Sequence, residues 1–180
     1  MANKYHMSIE ELEGLIEEAA AKLMKARDKR IRPGLDDKVL TSWNALMLDG
    51  ISEAYKATGN EAYREMAKKN GNFIVSKMMD KDYRLNRNYK NGKSTINAFL
   101  DDYAQTITAF INLYEITFEE QWLDHAKGLA DYAITHFFDD ATKMFHYTSD
   151  LDPALIARKK EVTDNVIPGS NSSMAKGLYS

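Results

Sequence analysis

The sequence predicts an all-α fold of stacked helical hairpins with short β-hairpins between the pairs. Three observations predict it. The stretch from Tyr55 to Tyr63 (YKATGNEAY) is echoed from Tyr114 to Trp122 (YEITFEEQW), 59 residues later. At the same offset Thr58 matches Thr117, Glu61 matches Glu120, Ala67 matches Ala126, Phe73 matches Tyr132 and Asp80 matches Asp139. Apolar residues recur at helical spacing on both sides of each echo, joined by links short enough to be tight turns. A fixed period of this size marks a repeat architecture, in which each unit buries its apolar face against its neighbour.

The elements follow in order. Ser8-Ile-Glu-Glu11 is a capping box, and Leu12, Leu15, Ile16, Ala19, Leu23 and Met24 continue it with helical spacing. This leading helix fades at Arg27–Arg30, before the breaker Arg32-Pro33-Gly34. A second helix is predicted from Asp37 to Ala57, ended by Gly59 as a left-handed cap. Asn60 caps a third, from Glu61 to Met79. Tyr83–Tyr89 reads as a strand and Asn91-Gly92 as a hairpin turn. The pattern then recurs: helices from Phe99 to Ile116 and from Glu119 to Phe138, a strand at Met144–Thr148, and a loop from Asp150 to Gly169. Asn171 or Ser172 opens a last helix. The organisation is one domain over 1–180, with the leading helix at 1–31, a first repeat at 36–95, a second at 99–165 and the start of a third at 170–180. That is about two and a half helix pairs, roughly half of a closed six-pair ring. The chain accordingly reads as a fragment of a longer protein, and its open faces make self-association of two half-rings an expectation.

The totals exclude several functions. With 24 basic and 27 acidic residues the formal charge is −3, and no basic run invites nucleic acid or an anionic membrane. No apolar run is long enough to span a bilayer. The absence of cysteine removes disulfides, thiolate metal sites and thiol catalysis, and fits a reducing, cytoplasmic setting. Neither a Gly-rich phosphate loop nor a metal-ligand histidine spacing is present, so no cofactor or metal is expected.

Three polar clusters lie at the starts of successive first helices: Asp36–Asn44, Phe99–Ala104 and Pro168–Ser173. Equivalent helix ends in a ring converge on one mouth. Carboxylates, aromatics, amides and hydroxyls gathered there suit a carbohydrate: acids for bond chemistry, a ring to stack on a sugar face, amides for hydroxyls. Asp101, Asp102 and Asp37 are the candidate catalytic carboxylates. Asp36, Trp43, Asn44, Tyr103, Arg87 and Asn171 are the candidate binding residues. Each has a plainer reading. An Asp at a helix start is an ordinary cap, although a doublet needs only one. Trp43 also suits a core position, Asn171 a cap, and Arg87 a solvated strand edge.

Arg32-Pro-Gly-Leu-Asp-Asp-Lys-Val-Leu-Thr-Ser-Trp-Asn44, Phe99-Leu-Asp-Asp-Tyr-Ala104 and Asn165-Val-Ile-Pro-Gly-Ser-Asn-Ser172 occur in this order. Together they resemble the hallmark segments of the family that includes bacterial YyaL-type proteins and mammalian spermatogenesis-associated protein 20. In the third segment the usual Ser-Gly order is reversed at Gly169-Ser170. The resemblance implies the first half of an (α/α)6 barrel of the six-hairpin glycosidase type, which in whole family members follows a thioredoxin-like domain. It implies kinship with glycosidases and N-acylglucosamine 2-epimerases, and a pocket at Asp36, Asp37, Trp43, Asn44, Asp101, Asp102, Tyr103 and Asn171.

The functional expectation is therefore a carbohydrate ligand and glycoside-hydrolase-like chemistry on paired aspartates. Epimerisation ranks lower, because only His146 lies near a predicted mouth. The competing expectation is a non-catalytic helical scaffold in which the doublets are caps. The use made of Asp102 separates the two: a carboxylate open to solvent favours sugar chemistry, and one taken up by backbone N–H groups favours a scaffold.

Overall fold

The computed structural model describes residues 2–153 and 156–180. Two compact units are present, Met1–Asp36 and Asp37–Ser180. The first holds a 3-10 turn at Ala2–Tyr5 and helix α1, Ile9–Asp28. The capping box forms as expected. Ser8 Oγ accepts from Glu11 N at 3.1 Å, and Ser8 N donates to Glu11 Oε2 at 2.8 Å. The apolar positions Ile9, Leu15, Ile16, Leu23 and Met24 stay exposed.

The second unit carries two helical hairpins and the opening of a third. They comprise α2 (Thr41–Thr58), α3 (Glu61–Phe73), α4 (Leu100–Thr117), α5 (Gln121–Phe137) and α6 (Ser170–Tyr179). Helix α3 widens into a π-turn over Ile74–Met78. The architecture is part of an (α/α)6 barrel. Helices α2, α4 and α6 lie side by side as one layer, and α3 and α5 back them. Helix α4 is central, and Leu100, Ile107, Phe110 and Leu113 are fully buried on it. Phe110 meets Trp122 of α5 with ring centroids 5.5 Å apart. Among the described residues no helix is long and apolar enough to cross a membrane.

The echo in the sequence is an echo of hydrogen bonds. Thr58 donates back to Ala54 O at 2.7 Å and accepts from Asn60 N; Thr117 donates to Leu113 O at 2.8 Å and accepts from Glu119 N. Asp80 and Asp139 each fold a turn by accepting backbone N–H groups two residues on. Ala67 and Ala126 are buried where outer helix meets inner. Lys56 of α2 reaches Glu115 of α4, its own counterpart in the repeat, at 2.6 Å.

Several boundaries differ from expectation: the strand expected at Tyr83–Tyr89 runs Asn86–Lys90, the one expected at Met144–Thr148 is only Met144–Phe145, and the start of α2 also moves. Val39–Leu40 form a strand, β1, and α2 begins only at Thr41. β1 pairs antiparallel with β2 (Asn86–Lys90), Val39 opposite Tyr89, so these two residues are held extended. β2 turns at Asn91-Gly92 into β3 (Lys93–Asn97), giving the sheet order β1-β2-β3. A second small ribbon pairs β4 (Phe138–Asp139) with β5 (Met144–Phe145).

The turns ending α2 and α4 are both left-handed, with Gly59 at φ 64° and Phe118 at φ 57°. An L side chain in that region costs about 1–2 kcal/mol. Phe118 is largely exposed and offsets little of this, apart from an edge contact with Tyr114. Replacing Phe118 with Gly is therefore expected to raise stability by about 1 kcal/mol in urea unfolding. Gly128 on α5 is under the opposite constraint, since a Cβ there would lie 2.4 Å from the Tyr83 ring. Gly128→Ala is expected to destabilise by about 1–3 kcal/mol in the same assay.

Candidate active site at the helix mouth

Helix α2 starts without a side-chain cap of its own, because its N-cap is Leu40. The missing acceptor comes from α4. Asp102 Oδ1 accepts from Ser42 N at 2.9 Å. The other oxygen, Oδ2, accepts from Phe99 N at 3.0 Å, capping α4 itself. It also accepts from Arg87 Nη1 on β2 at 2.8 Å. One fully buried carboxylate thus joins two helix starts and a strand.

Asp101 sits beside it and is engaged differently. Its Oδ1 takes the same Arg87 nitrogen at 3.2 Å. Its second neighbour is the Tyr147 side chain. The Arg87 guanidinium lies over the Phe99 ring at 4.6 Å, and Phe99 packs on Tyr147 at 5.0 Å. The Tyr147 carbonyl accepts the first N–H of α4, from Leu100, at 3.0 Å. Two carboxylates therefore share one guanidinium beside the Phe99 and Tyr147 rings.

The electrostatics follow from burial. Asp102 is pushed up to about 6, first by burial and then by the charge of Asp101, against the pull of Arg87 and two backbone N–H groups. Burial also raises the Tyr147 phenol, and the Asp101 charge adds to it. Burial works against the Arg87 cation, but Asp102 and Asp101 together outweigh it and raise its pKa.

The other sequence candidates are placed as follows. Trp43, one residue beyond Ser42, is 56% exposed rather than core. Asp37 pairs with Lys90 at 2.5 Å, and Lys90 holds its carboxyl below the usual range. Lys90 is three residues from Arg87 on β2, so strand alternation assigns it to the opposite face. Asp36 ends the N-terminal unit. The Asn44 amide donates back to Leu40 O at 2.8 Å, and its backbone carbonyl accepts from Asn70 at 3.0 Å. Tyr103 lies about 200° round α4 from Asp101. It is fully buried, accepts from Leu85 N at 2.9 Å and stacks on Tyr132 at 5.3 Å. The Asn171 side chain is engaged on both sides of Phe145, at 2.8 and 3.0 Å, and with Glu161 O at 3.0 Å. The structure thus brings together Arg87, Asp101 and Asp102, and uses Tyr103 and Asn171 as struts.

Phe99 as a platform and Tyr147 as a partner were not foreseen. A signal existed, since Tyr147 stands 59 residues after Asn88, on the segment that returns from one pair to the next helix start. Among the described residues no group of His, Asp and Glu converges as metal ligands would.

Residues 37–159 match the model of glycosyl hydrolase family 76. An uncharacterized protein of Caenorhabditis elegans is 31% identical over 98% of this chain and 25% of its own length. Spermatogenesis-associated protein 20 of Rattus norvegicus is 30% identical over 97% of this chain and 23% of its own, as the three motifs foretold. The chain thus spans about a quarter of the length of these relatives. Among solved structures, a family 76 α-mannanase of Bacteroides thetaiotaomicron aligns with TM-score 0.53 and 26% identity, over 63% of this chain and 33% of that one. A cellobiose 2-epimerase of Bacillus thermoamylovorans aligns with TM-score 0.58 and 18% identity, over 62% and 32%. A D-mannose isomerase aligns with TM-score 0.63 and 17% identity, over 78% and 37%. The last two share the fold.

Asp102→Asn places an amide NH2 against existing N–H donors and removes the buried charge facing Arg87, so a loss of about 3 kcal/mol is expected in urea unfolding. Asp102 in the folded chain holds its proton up to about pH 6, whereas the ordinary value is 3.8. The folded state therefore binds more protons than the unfolded state between these values, and this group's contribution falls as pH rises through the window. Stability measured from pH 4 to 7 should show that downward component in the wild type, and Asp102→Asn should remove it.

Proposed function

This chain belongs to glycosyl hydrolase family 76, and from that premise we propose that its helix mouth binds a sugar and acts on a glycosidic bond through Asp101. The observation that carries the reading is the division of labour within the doublet. Asp102 caps both helices. Among the described residues no backbone N–H is bonded to the Asp101 side chain, which is buried beside Arg87 and Tyr147 with slightly more exposure than Asp102.

A glycosidic bond breaks through an oxocarbenium-like state, and a carboxylate fixed beside the anomeric carbon stabilises the developing positive charge. Asp101 fills that role. Arg87 and Tyr147 hold its orientation, and Asp102 is a positioning residue that fixes Arg87. Exposed Trp43, one residue from the Ser42–Asp102 bond, supplies a face for stacking on a sugar ring. Oxygens of the two aspartates share one Arg87 nitrogen at 3.2 and 2.8 Å. Asp102, buried and bonded to both helix starts, therefore acts through Arg87 and not on the substrate.

Hydrolysis is favoured over epimerisation by the placement of the histidines. His136 bonds Asp150 at 2.8 Å, His125 packs among Trp122, Phe110 and Tyr83, and His146 stands 4.0 Å from Asp139. The family 76 relative is named an α-mannanase, which makes mannosides the first substrates to try. A scaffold reading draws on the test set by the sequence: Asp102 is buried and taken up by the backbone N–H groups of Ser42 and Phe99, the outcome expected of a scaffold, and Tyr103 and Asn171 also hold elements together.

The test uses nitrophenyl mannosides and glucosides. Asp101→Asn should lower turnover at least about 100-fold, while its melting temperature stays near that of the wild type. Unchanged turnover and sugar affinity in Asp101→Asn would shift the assignment to the scaffold.

A further inference from the structure

Helix α1 lies outside the repeats and carries a pattern of its own. Ile9, Leu12, Ile16, Ala19, Leu23 and Ala26 follow one another at alternating steps of three and four residues. That is the a/d seam of a coiled coil, with Ile9, Ile16 and Leu23 at a and Leu12, Ala19 and Ala26 at d. The helix is 20 residues long, which makes the seam about 30 Å in length. No residue of α1 is buried, and Ile9, Ile16 and Leu23 are 65, 54 and 71% exposed. A helix of this length draws most of its stability from packing an apolar face. A strict a/d stripe has the width of a contact with one other helix.

Charge and shape both say which helix fits. Glu10, Glu11, Glu13, Glu17 and Glu18 fill the first half of α1, and Lys22, Lys25 and Arg27 the second. A second copy laid parallel would set acid on acid and base on base. Laid antiparallel, it sets each half against its opposite. Glu11 then comes level with Lys25 of the second copy to within about one residue, on the same flank of the seam. Glu10 approaches Arg27 of the second copy on the other flank. These side chains are exposed, so such pairs select orientation more than they add affinity.

Antiparallel pairing also sets a positions against d positions. Ile9 meets Ala26 of the second copy, Leu12 meets Leu23, and Ile16 meets Ala19. Each isoleucine faces an alanine and each leucine a leucine. The set maps onto itself under a two-fold axis between Glu17 and Glu18, whose b and c positions lie away from the seam. Parallel pairing would stack Ala19 on Ala19 and Ala26 on Ala26, layers too thin to fill.

We propose that two copies of this chain associate through α1 as an antiparallel helix pair. The seam uses no residue of the mouth, so it holds or fails independently of the sugar reading.

Sedimentation equilibrium of the whole chain tests the association. The wild type should form a dimer at concentrations up to about 100 μM. Ile16→Asp places a charge at the centre of the seam and changes an exposed side chain. It should weaken dimerisation at least about 30-fold and leave the melting temperature of the repeat unit unchanged. The chain has no cysteine, so single replacements report orientation cleanly. A short thiol-specific cross-linker should join Ile9→Cys to Ala26→Cys in a mixture of the two variants, and should join neither variant to itself. A monomer throughout the concentration range means that the seam does not recruit a second copy. A dimer indifferent to Ile16→Asp puts the interface on the open ring faces instead. Linking of each cysteine variant to itself makes the pair parallel. Any of these three results overturns the proposal.

Discussion

The carboxylate of Asp102 accepts from Ser42 N at the start of α2, from Phe99 N at the start of α4 and from Arg87 on β2. These three bonds fix Arg87 and the starts of α2 and α4 relative to one another. Helix α2 has an apolar N-cap residue, so its early N–H groups need an acceptor from elsewhere. A carboxylate near two helix N-termini also meets the positive ends of both dipoles. Because Asp102 sits dry against a second carboxylate, the arrangement is stable only with the Arg87 cation in place. That requirement orients the guanidinium over Phe99 and leaves Asp101 as the member of the doublet that caps neither helix.

The repeat supplies the frame for this junction. Each hairpin closes with the same Thr-based turn, buries an alanine where outer helix meets inner, and is followed by a short ribbon, the second of which continues into a long loop before α6. The ribbons therefore deliver side chains to the mouth: Arg87 from the first, Tyr147 from just beyond the second. Backbone bonds hold these deliveries, including Leu100 N to Tyr147 O at 3.0 Å. A site assembled from two ribbons and two helix starts is fixed by elements that also carry the core, which suits a preorganised charge cluster.

Much of the fold was legible because it depends on local chemistry. The Ser8–Glu11 capping box, the Gly59 cap, the Asn60 cap and the Asn91-Gly92 turn are each decided by residues a few positions apart, and the 59-residue echo supplies the stacking. The start of α2 was not legible, because Val39–Leu40 are held extended by a partner strand some fifty residues away. At the mouth, motif and spacing drew attention to Asp101, Asp102 and Arg87. What they did not reveal was which aspartate caps. Both lie in the first turn of α4, and the choice is made by Ser42 N and Arg87, groups remote in sequence. Tyr103 and Asn171 share the polar look of binding residues, yet helix phase turns the first inward and Phe145 engages the second.

The central claim is that a single carboxylate, Asp102, ties together Ser42, Phe99 and Arg87. The direct measurement is a pH titration followed by proton–nitrogen correlation NMR. The Ser42 and Phe99 amides and the Arg87 side-chain N–H should shift together with one midpoint near 6, the value to which burial and Asp101 push Asp102. In Asp101→Asn that shared midpoint should fall, because the like charge is gone. Separate midpoints for the two amides, or amides that do not respond to carboxylate titration, would contradict the account.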